Sequence, residues 1–393
     1  MRVEGGNIIL VLFFSLAAQQ CLVEPISVSD KRGITSFTNN VYEVLRAMKP
    51  GSSFIVSPIN ARLSVSMLLL GARGRTARQI RRVLHLPQDI RTIKRNAIKF
   101  LSSDTNSDDT LLLLATGLFP SIYIKLQRKF VNEAERYFKV QCQGLNYENQ
   151  KEAAQVINSW ISSETVNLLQ NVVQAEELST DTSLVLVNAV YFLSNFADNF
   201  KSTRPRPFYV NRETIANISM VKGRTNIMYE ELEVLGATAI QLEYEGYTHH
   251  LLLFLPFKED GLSGVEDKIN YIDLGTLKLQ HYVDAMVWLP NFKLSTETDF
   301  REVLEVLGLS DIFKKTSDLT RISRSNGVTI DEIRQKAGID IEEGDDKSGQ
   351  LMHMSSNVRP RGQVMLEADH PFMFVIRDYT GTVIFIGRYT GPD

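Results

Sequence analysis

The chain has 393 residues, 44% of them hydrophobic and 23% charged, with a formal net charge of −3. That near-balance of charge excludes the basic footprint of a nucleic-acid binder and a dominant acidic tail. Length alone permits two or three domains, but no linker, low-complexity block or fixed-period repeat divides the sequence, so one large domain is the simpler reading.

Arg2 precedes an apolar run, Ile8–Ala18, followed closely by Cys21. The run is shorter than the ~20 apolar residues that span a bilayer. Ser15, Ala17 and Ala18 supply small residues for a signal peptidase, so residues 1–18 read as a cleaved secretion signal, with a buried N-terminal helix as the alternative. Ile34, Phe37, Val41, Val44, Leu45 and Met48 recur at helical spacing and predict an amphipathic helix over about 30–48, stopped by Pro50-Gly51-Ser52. A second helical pattern runs from Ala61 to Leu70, and a basic helix follows around Arg75–Leu84. Thr110–Phe119 and Ser183–Phe192 are nearly continuous apolar runs, the pattern of strands covered on both faces. His250–Phe257 and Ala285–Leu294 read as further strands, and Phe372–Arg377 with Val383–Arg388 as a hairpin turning at Tyr379-Thr380-Gly381. Helices gather early and strands late, which indicates α+β rather than alternating βαβ units.

No catalytic constellation emerges, and the chain reads as a non-enzyme without cofactor or metal. The six histidines are scattered, and His249 and His250, adjacent on a strand, point to opposite faces. There is no His-Glu-x-x-His, Cys-x-x-Cys or Walker loop, and Gly261-Leu262-Ser263-Gly264 lacks the spacing of a nucleophile elbow. Two cysteines, Cys21 and Cys142, in a domain this large predict no essential disulfide. Asn217-Ile218-Ser219 is a glycosylation sequon and fits export. Arg73, Arg75, Arg78, Arg81 and Arg82, with Arg91, Lys94, Arg95 and Lys99, form either a solvated helix face or a surface for a polyanion. No nucleic acid or membrane partner is expected, and the chain reads as a monomer.

Leu366-Glu367-Ala368-Asp369-His370-Pro371-Phe372-Met373-Phe374-Val375-Ile376, followed by Arg377 and Thr380-Gly381-Thr382-Val383-Ile384-Phe385-Ile386-Gly387-Arg388, resembles the C-terminal signature of the serpins. Ser57-Pro58 opening a helix, Leu69-Leu70-Gly71-Ala72-Arg73-Gly74-Arg75-Thr76 (similar to "LGAKGNT"), Val187-Asn188-Ala189-Val190-Tyr191-Phe192 (similar to "VNAIYF") and Glu342-Glu343-Gly344 match in order from about residue 30 to 390. The chain is thereby identified as a member of that family, secreted and insect-like, with a single serpin domain over 27–393 and a reactive-centre loop over about 343–364. The resemblance implies a fold in which N-terminal helices pack on a large central sheet. It also implies a mechanism: a serine protease cleaves the loop, the freed loop inserts as a strand into the main sheet, and the acyl-enzyme is dragged away and distorted.

The hinge departs from the family. It comprises Glu342, Glu343, Gly344, Asp345, Asp346 and Lys347. By family spacing Asp345, Lys347, Gly349, Leu351, His353 and Ser355 face the core on insertion, at positions where inhibitory members carry small residues. Burying an unpaired carboxylate or ammonium is expensive, and ~1.4 kcal/mol on a barrier is tenfold in rate, so trapping is expected to be weak. The segment "HKAFIEVNEEG" appears as Gln335 to Gly344 with one residue missing before Glu342, which leaves the register open. The family's sheet-opening positions fall on Ser57, Asn60, Asn188, Phe196 and Gln335, with Asn60 for the usual Ser, Phe196 for Trp and Gln335 for His. Asn60, Asn188 and Gln335 are expected either to hydrogen-bond to one another or to satisfy other buried groups. Family spacing puts the scissile bond after Val358, an elastase-like preference; Arg359 would attract a trypsin-like enzyme but is followed by Pro360. The implied partner is an extracellular serine protease of either kind. The alternative is a non-inhibitory member acting as carrier, ligand or competitor.

From the leader it follows that the mature secreted chain begins between residues 18 and 22. N-terminal sequencing of exported protein tests this; an intact Met1 refutes it.

Overall fold

The computed structural model describes residues 28–102, 110–325, 327–341 and 364–392. The N-terminal part is α1 (Val28–Met48), β1 (Phe54–Val56), α2 (Pro58–Met67), α3 (Gly74–Val83), α4 (Ile90–Ser102), β2 (Thr110–Pro120), α5 (Arg128–Phe138), β3 (Gln141–Cys142) and α6 (Gln150–Glu164). Then come β4 (Leu184–Ser194), β5 (Lys201–Ser202), β6 (Arg206–Tyr209), β7 (Ile215–Ile218), β8 (Met220–Leu232), β9 (Ala237–Glu243), β10 (His249–Pro256) and α7 (Leu262–Glu266). The C-terminal part is β11 (His281–Pro290), β12 (Phe292–Asp299), α8 (Phe300–Val306), β13 (Glu332–Ile341), β14 (Val364–Glu367), β15 (Phe372–Asp378) and β16 (Val383–Tyr389).

The predicted elements form with small shifts, apart from Ala285–Leu294. That run is two strands, β11 and β12, which belong to different sheets with Asn291 between them. Pro290 ends the first strand, since a proline nitrogen cannot donate to a ladder. β12, β13, β4, β2 and β3 form a five-stranded sheet in that order, and nine strands form a second sheet running from β1 to β14.

The helical stripe of α1 packs Ile34, Phe37, Val41 and Leu45 inward, as its periodicity demands. All ten residues of α2 are buried, because it lies between the two sheets. β4 is the sheet's central strand. Leu186, Val190 and Phe192 face the main core, while Val185, Val187, Ala189 and Tyr191 face α6 and a second, smaller core. β2 meets the two-face expectation only in its later half; Leu111, Leu113, Leu114 and Thr116 are half-buried.

β10 carries both adjacent histidines into the core. Arg377, opposite His250 in the ladder, donates its Nε hydrogen to His250 Nε2, which must therefore be unprotonated. Burial, then the charge of Arg377, then His249, lowers the His250 pKa to about 3. An unfolded histidine titrates near 6.5, so below that pH the unfolded state binds a proton that the folded state refuses. Stability at this site is therefore intact above pH ~6.5 and falls as pH drops toward 3, by about 2 kcal/mol at pH 5. His250→Gln keeps an acceptor for Arg377 but takes no proton. Urea midpoints at pH 7.5 and 5 should converge for this variant relative to the parent; an unchanged pH dependence refutes the assignment.

Candidate functional site: the seam between β4 and β13

β4 and β13 are direct neighbours and run parallel, paired without interruption from Glu332↔Val185 to Asp340↔Leu193. Their other neighbours, β2 and β12, are antiparallel to them. Parting the pair exposes one backbone ladder on each strand, at a cost that forbids a lasting gap. A segment that left the end of β13, turned and ran back between them would be antiparallel to both and would restore every bond. Residues 342–363, which contain the hinge from Glu342 to Lys347 and the bond at Val358 and Arg359, follow β13 in the chain and lie outside the described residues, as do the leader and Cys21.

A row of polar side chains crosses the sheet at mid-height, Thr298, Gln335, Asn188 and Thr116 being successive partners in the ladders. Side chains in register share a face, and this one meets α2. Gln335 Oε1 accepts from the Ser57 N–H at 2.9 Å, and its Nε2 donates to the Ser57 carbonyl at 2.9 Å. Ser57 in turn donates from its hydroxyl to the carbonyl of Ile384 on β16 at 2.7 Å, so the start of α2 is tied to both sheets. Pro58 suits that start, since its missing N–H would be unpaired in any case. Asn188 Oδ1 accepts from Thr116 at 3.2 Å. Asn60, Asn188 and Gln335 therefore do not hydrogen-bond to one another: the glutamine reaches the backbone of Ser57 instead. Asn60 Oδ1, Asn188 Nδ2 and Thr298 Oγ1 are buried with no partner among the described residues. A buried polar atom left unpaired costs about 1–3 kcal/mol.

Phe196 is buried and stacks on Tyr244, with ring centroids 4.9 Å apart and planes within 10°. Phe200 and Phe192 continue the aromatic cluster, so a phenyl ring fills this position by packing alone.

Beyond the sheet-opening residues, the structure brings together a group that sequence reasoning missed. Near the seam's C-terminal end Asp340 Oδ2 accepts from the Tyr191 phenol of β4 at 2.7 Å and from Lys293 Nζ of β12 at 2.9 Å. The Tyr191 ring crosses over Gly338, where a Cβ would sit 2.7 Å from it; glycine is required for the crossing. Burial and the bond to Asp340 push the Tyr191 phenol up to about 12, and the Asp340 bond raises the Lys293 ammonium. Three strands are thus clasped through one carboxylate, whose other oxygen, Oδ1, has no partner among the described residues. The available signal was a lone acid between Ile339 and Ile341 in an apolar strand.

Elsewhere, Asn217 is exposed on β7, as an acceptor of glycan must be. Cys142 forms no disulfide among the described residues, and burial pushes its thiol up to about 12. Arg75 pairs with Asp311 at 3.5 Å, Lys94 with Glu133 at 3.1 Å, and Arg73, Arg78, Arg82, Arg91 and Arg95 are exposed. Among the described residues no His, Cys, Asp or Glu cluster is placed to hold a metal ion, and no helix is long and apolar enough to cross a membrane.

The clasp predicts a graded response. Tyr191→Phe removes a buried link across the seam, whereas Lys293, its side chain 54% exposed, contributes a screened one. Amide hydrogen exchange over residues 336–341 should accelerate about tenfold in Tyr191→Phe and much less in Lys293→Met. Equal responses would refute the clasp.

Residues 32–392 match the family model described as serpin, serine protease inhibitor. Antitrypsin of Bombyx mori is 27% identical over 393 residues, covering 97% of this chain and 99% of its own. The crystal structure of Serpin48, a highly specific serpin of the insect Tenebrio molitor, superposes with a TM-score of 0.83 at 27% identity, over 92% of this chain and 98% of its own. Native protease nexin-1, solved with heparin, matches with a TM-score of 0.80 at 25% identity, over 92% of this chain and 99% of its own. With the family model spanning nearly the whole chain and the two-sheet architecture in place, the chain belongs to the serpins, a family generally made up of serine protease inhibitors rather than enzymes.

Proposed function

We propose that this serpin is secreted, is not itself an enzyme, and presents a loop within residues 343–363, ending one residue before the expected 364 because Val364 pairs with Ala285 in β14, to an extracellular serine endopeptidase, which cuts the loop but is trapped poorly. The observation that carries the reading is the direct parallel pairing of β4 and β13, a sheet of five strands with a seam that an antiparallel sixth would complete. Weak trapping rests on Asp345 and Lys347, charges at positions that family spacing sends inward. Same-face neighbours two residues apart lie ~7 Å from one another, long for an ion pair. Elastase-like cutting after Val358 is favoured over tryptic cutting after Arg359, because Pro360 hinders the latter. Export is supported by the leader and by the exposed Asn217 sequon. A polyanion on the exposed arginines of α3 and α4 is a secondary proposal, in line with the heparin present in the protease nexin-1 structure.

The test is incubation with elastase-like and trypsin-like proteases, read by denaturing gel, mass spectrometry of the cut and melting temperature of the cleaved product. Cutting between residues 357 and 360 by elastase, little adduct and little thermal gain are expected. Asp345→Thr with Lys347→Ala should raise the melting temperature of the cleaved form. A gain of tens of degrees in the unmodified cleaved chain, with an SDS-stable adduct, would make it an efficient inhibitor. No cutting in the loop would favour the carrier, ligand or competitor alternative.

A further inference from the structure

A cleft of about 530 Å³ opens where the end of α2, α3, α4 and the first turn of α5 meet. Its polar lining is basic. Arg73, Arg81, Lys129 and Arg321 border it, and the carboxylate in the lining, Glu133, is already engaged by Lys94 at 3.1 Å. Arg81 donates to the carbonyl of Pro87. Arg73, Lys129 and Arg321 are exposed and have no acidic partner within 4.0 Å among the described residues. The half-buried Leu70 and Ile90 and the buried Phe130 are among the apolar residues of the lining.

The convergence is built by backbone. Arg73 N–H donates to the carbonyl of Asp318 at 2.9 Å, and Arg321 N–H donates to that of Gly71 at 3.2 Å, so the two segments are stitched in both directions. Gly71 permits the approach: a Cβ there would sit 2.1 Å from Ile322. The Gln127 N–H donates to the carbonyl of Ile322 at 2.8 Å, which brings α5 and Lys129 to the same rim. Two guanidinium groups and an ammonium from three distant stretches of chain are therefore held around one opening. The first turn of α5 contains no acidic side chain to offset them.

We propose that this cleft binds a small amphipathic anion, a phosphate or sulfate monoester of an apolar alkyl or aryl body. Its head would lie against Arg73, Arg321 and Lys129, and its body against Leu70 and Ile90. Paired guanidinium forks suit the oxygens of such a head. The volume is that of sites for organic ligands and exceeds what a bare inorganic anion fills. A linear polyanion would instead follow the outward arginines of α3 and α4, which lie beyond the cleft, and would leave the apolar lining unused. The inference is independent of the reactive loop, so it stands or falls apart from protease trapping.

Calorimetric titration of the full chain with monododecyl phosphate, below its micelle concentration, tests it. Saturable binding at one site per chain is expected, with inorganic phosphate at least about a hundredfold weaker. Arg73→Ala with Arg321→Ala, both at exposed positions, should weaken binding about tenfold or more, as should Ile90→Ser, which alters only the apolar lining. Lys129→Ala, also exposed, serves as a second probe of the head. Absence of binding, equal affinity for inorganic phosphate, or indifference to these substitutions would overturn the proposal. So would tight binding of a sulfated oligosaccharide that depends on the arginines but not on Ile90.

Discussion

The unbroken ladder between β4 and β13 is the constraint on which the rest of this molecule depends. Each strand satisfies the other's backbone, and neither can be left with a bare edge inside the sheet. A parallel pair demands a long crossover, and here the chain spends residues 195–331 on it, a stretch that holds eight strands, from β5 to β12. That crossover supplies β5, β8, β9, β10 and β11 to the second sheet. Because both partners point the same way, a strand that satisfies both must oppose both, and the chain that leaves β13 has the direction needed once it turns.

Much of this was legible from residue pattern alone. The helical stripe of α1 carries a periodicity that only a helix satisfies, the continuous apolar run of β4 is that of a strand covered on both faces, and the C-terminal hairpin is marked by its turn; burial agrees with all three. The run from Ala285 to Leu294 was misread as one strand because hydropathy is blind to which sheet a residue joins; only the chain direction at Pro290-Asn291 separates β11 from β12. Gln335 was found through family resemblance, but its bonds to the Ser57 backbone depend on a contact 278 positions away that no local pattern encodes. The Asp340 clasp was missed for the same reason: its partners, Tyr191 and Lys293, come from two other strands.

The clasp also shows what a charge beside this seam requires. Asp340 is accommodated with a phenol and an ammonium within hydrogen-bond distance, and even so one of its oxygens goes unpaired. Inserted charges at Asp345 and Lys347 would need comparable partners, while the polar row at mid-sheet already contains unpaired buried atoms from Asn188 and Thr298. Lone polar groups next to a ladder weaken it from the side.

Gln335 has one more consequence. This chain ties its sheet to Ser57 through a carboxamide, which neither gains nor loses a proton in water at any biological acidity. The tie at mid-sheet is therefore deaf to acid. The buried imidazoles of His249 and His250 sit instead on β10, in the opposite sheet. As its surroundings acidify, the molecule loses stability at His250 in the second sheet, while the tie from Gln335 to Ser57 is left untouched.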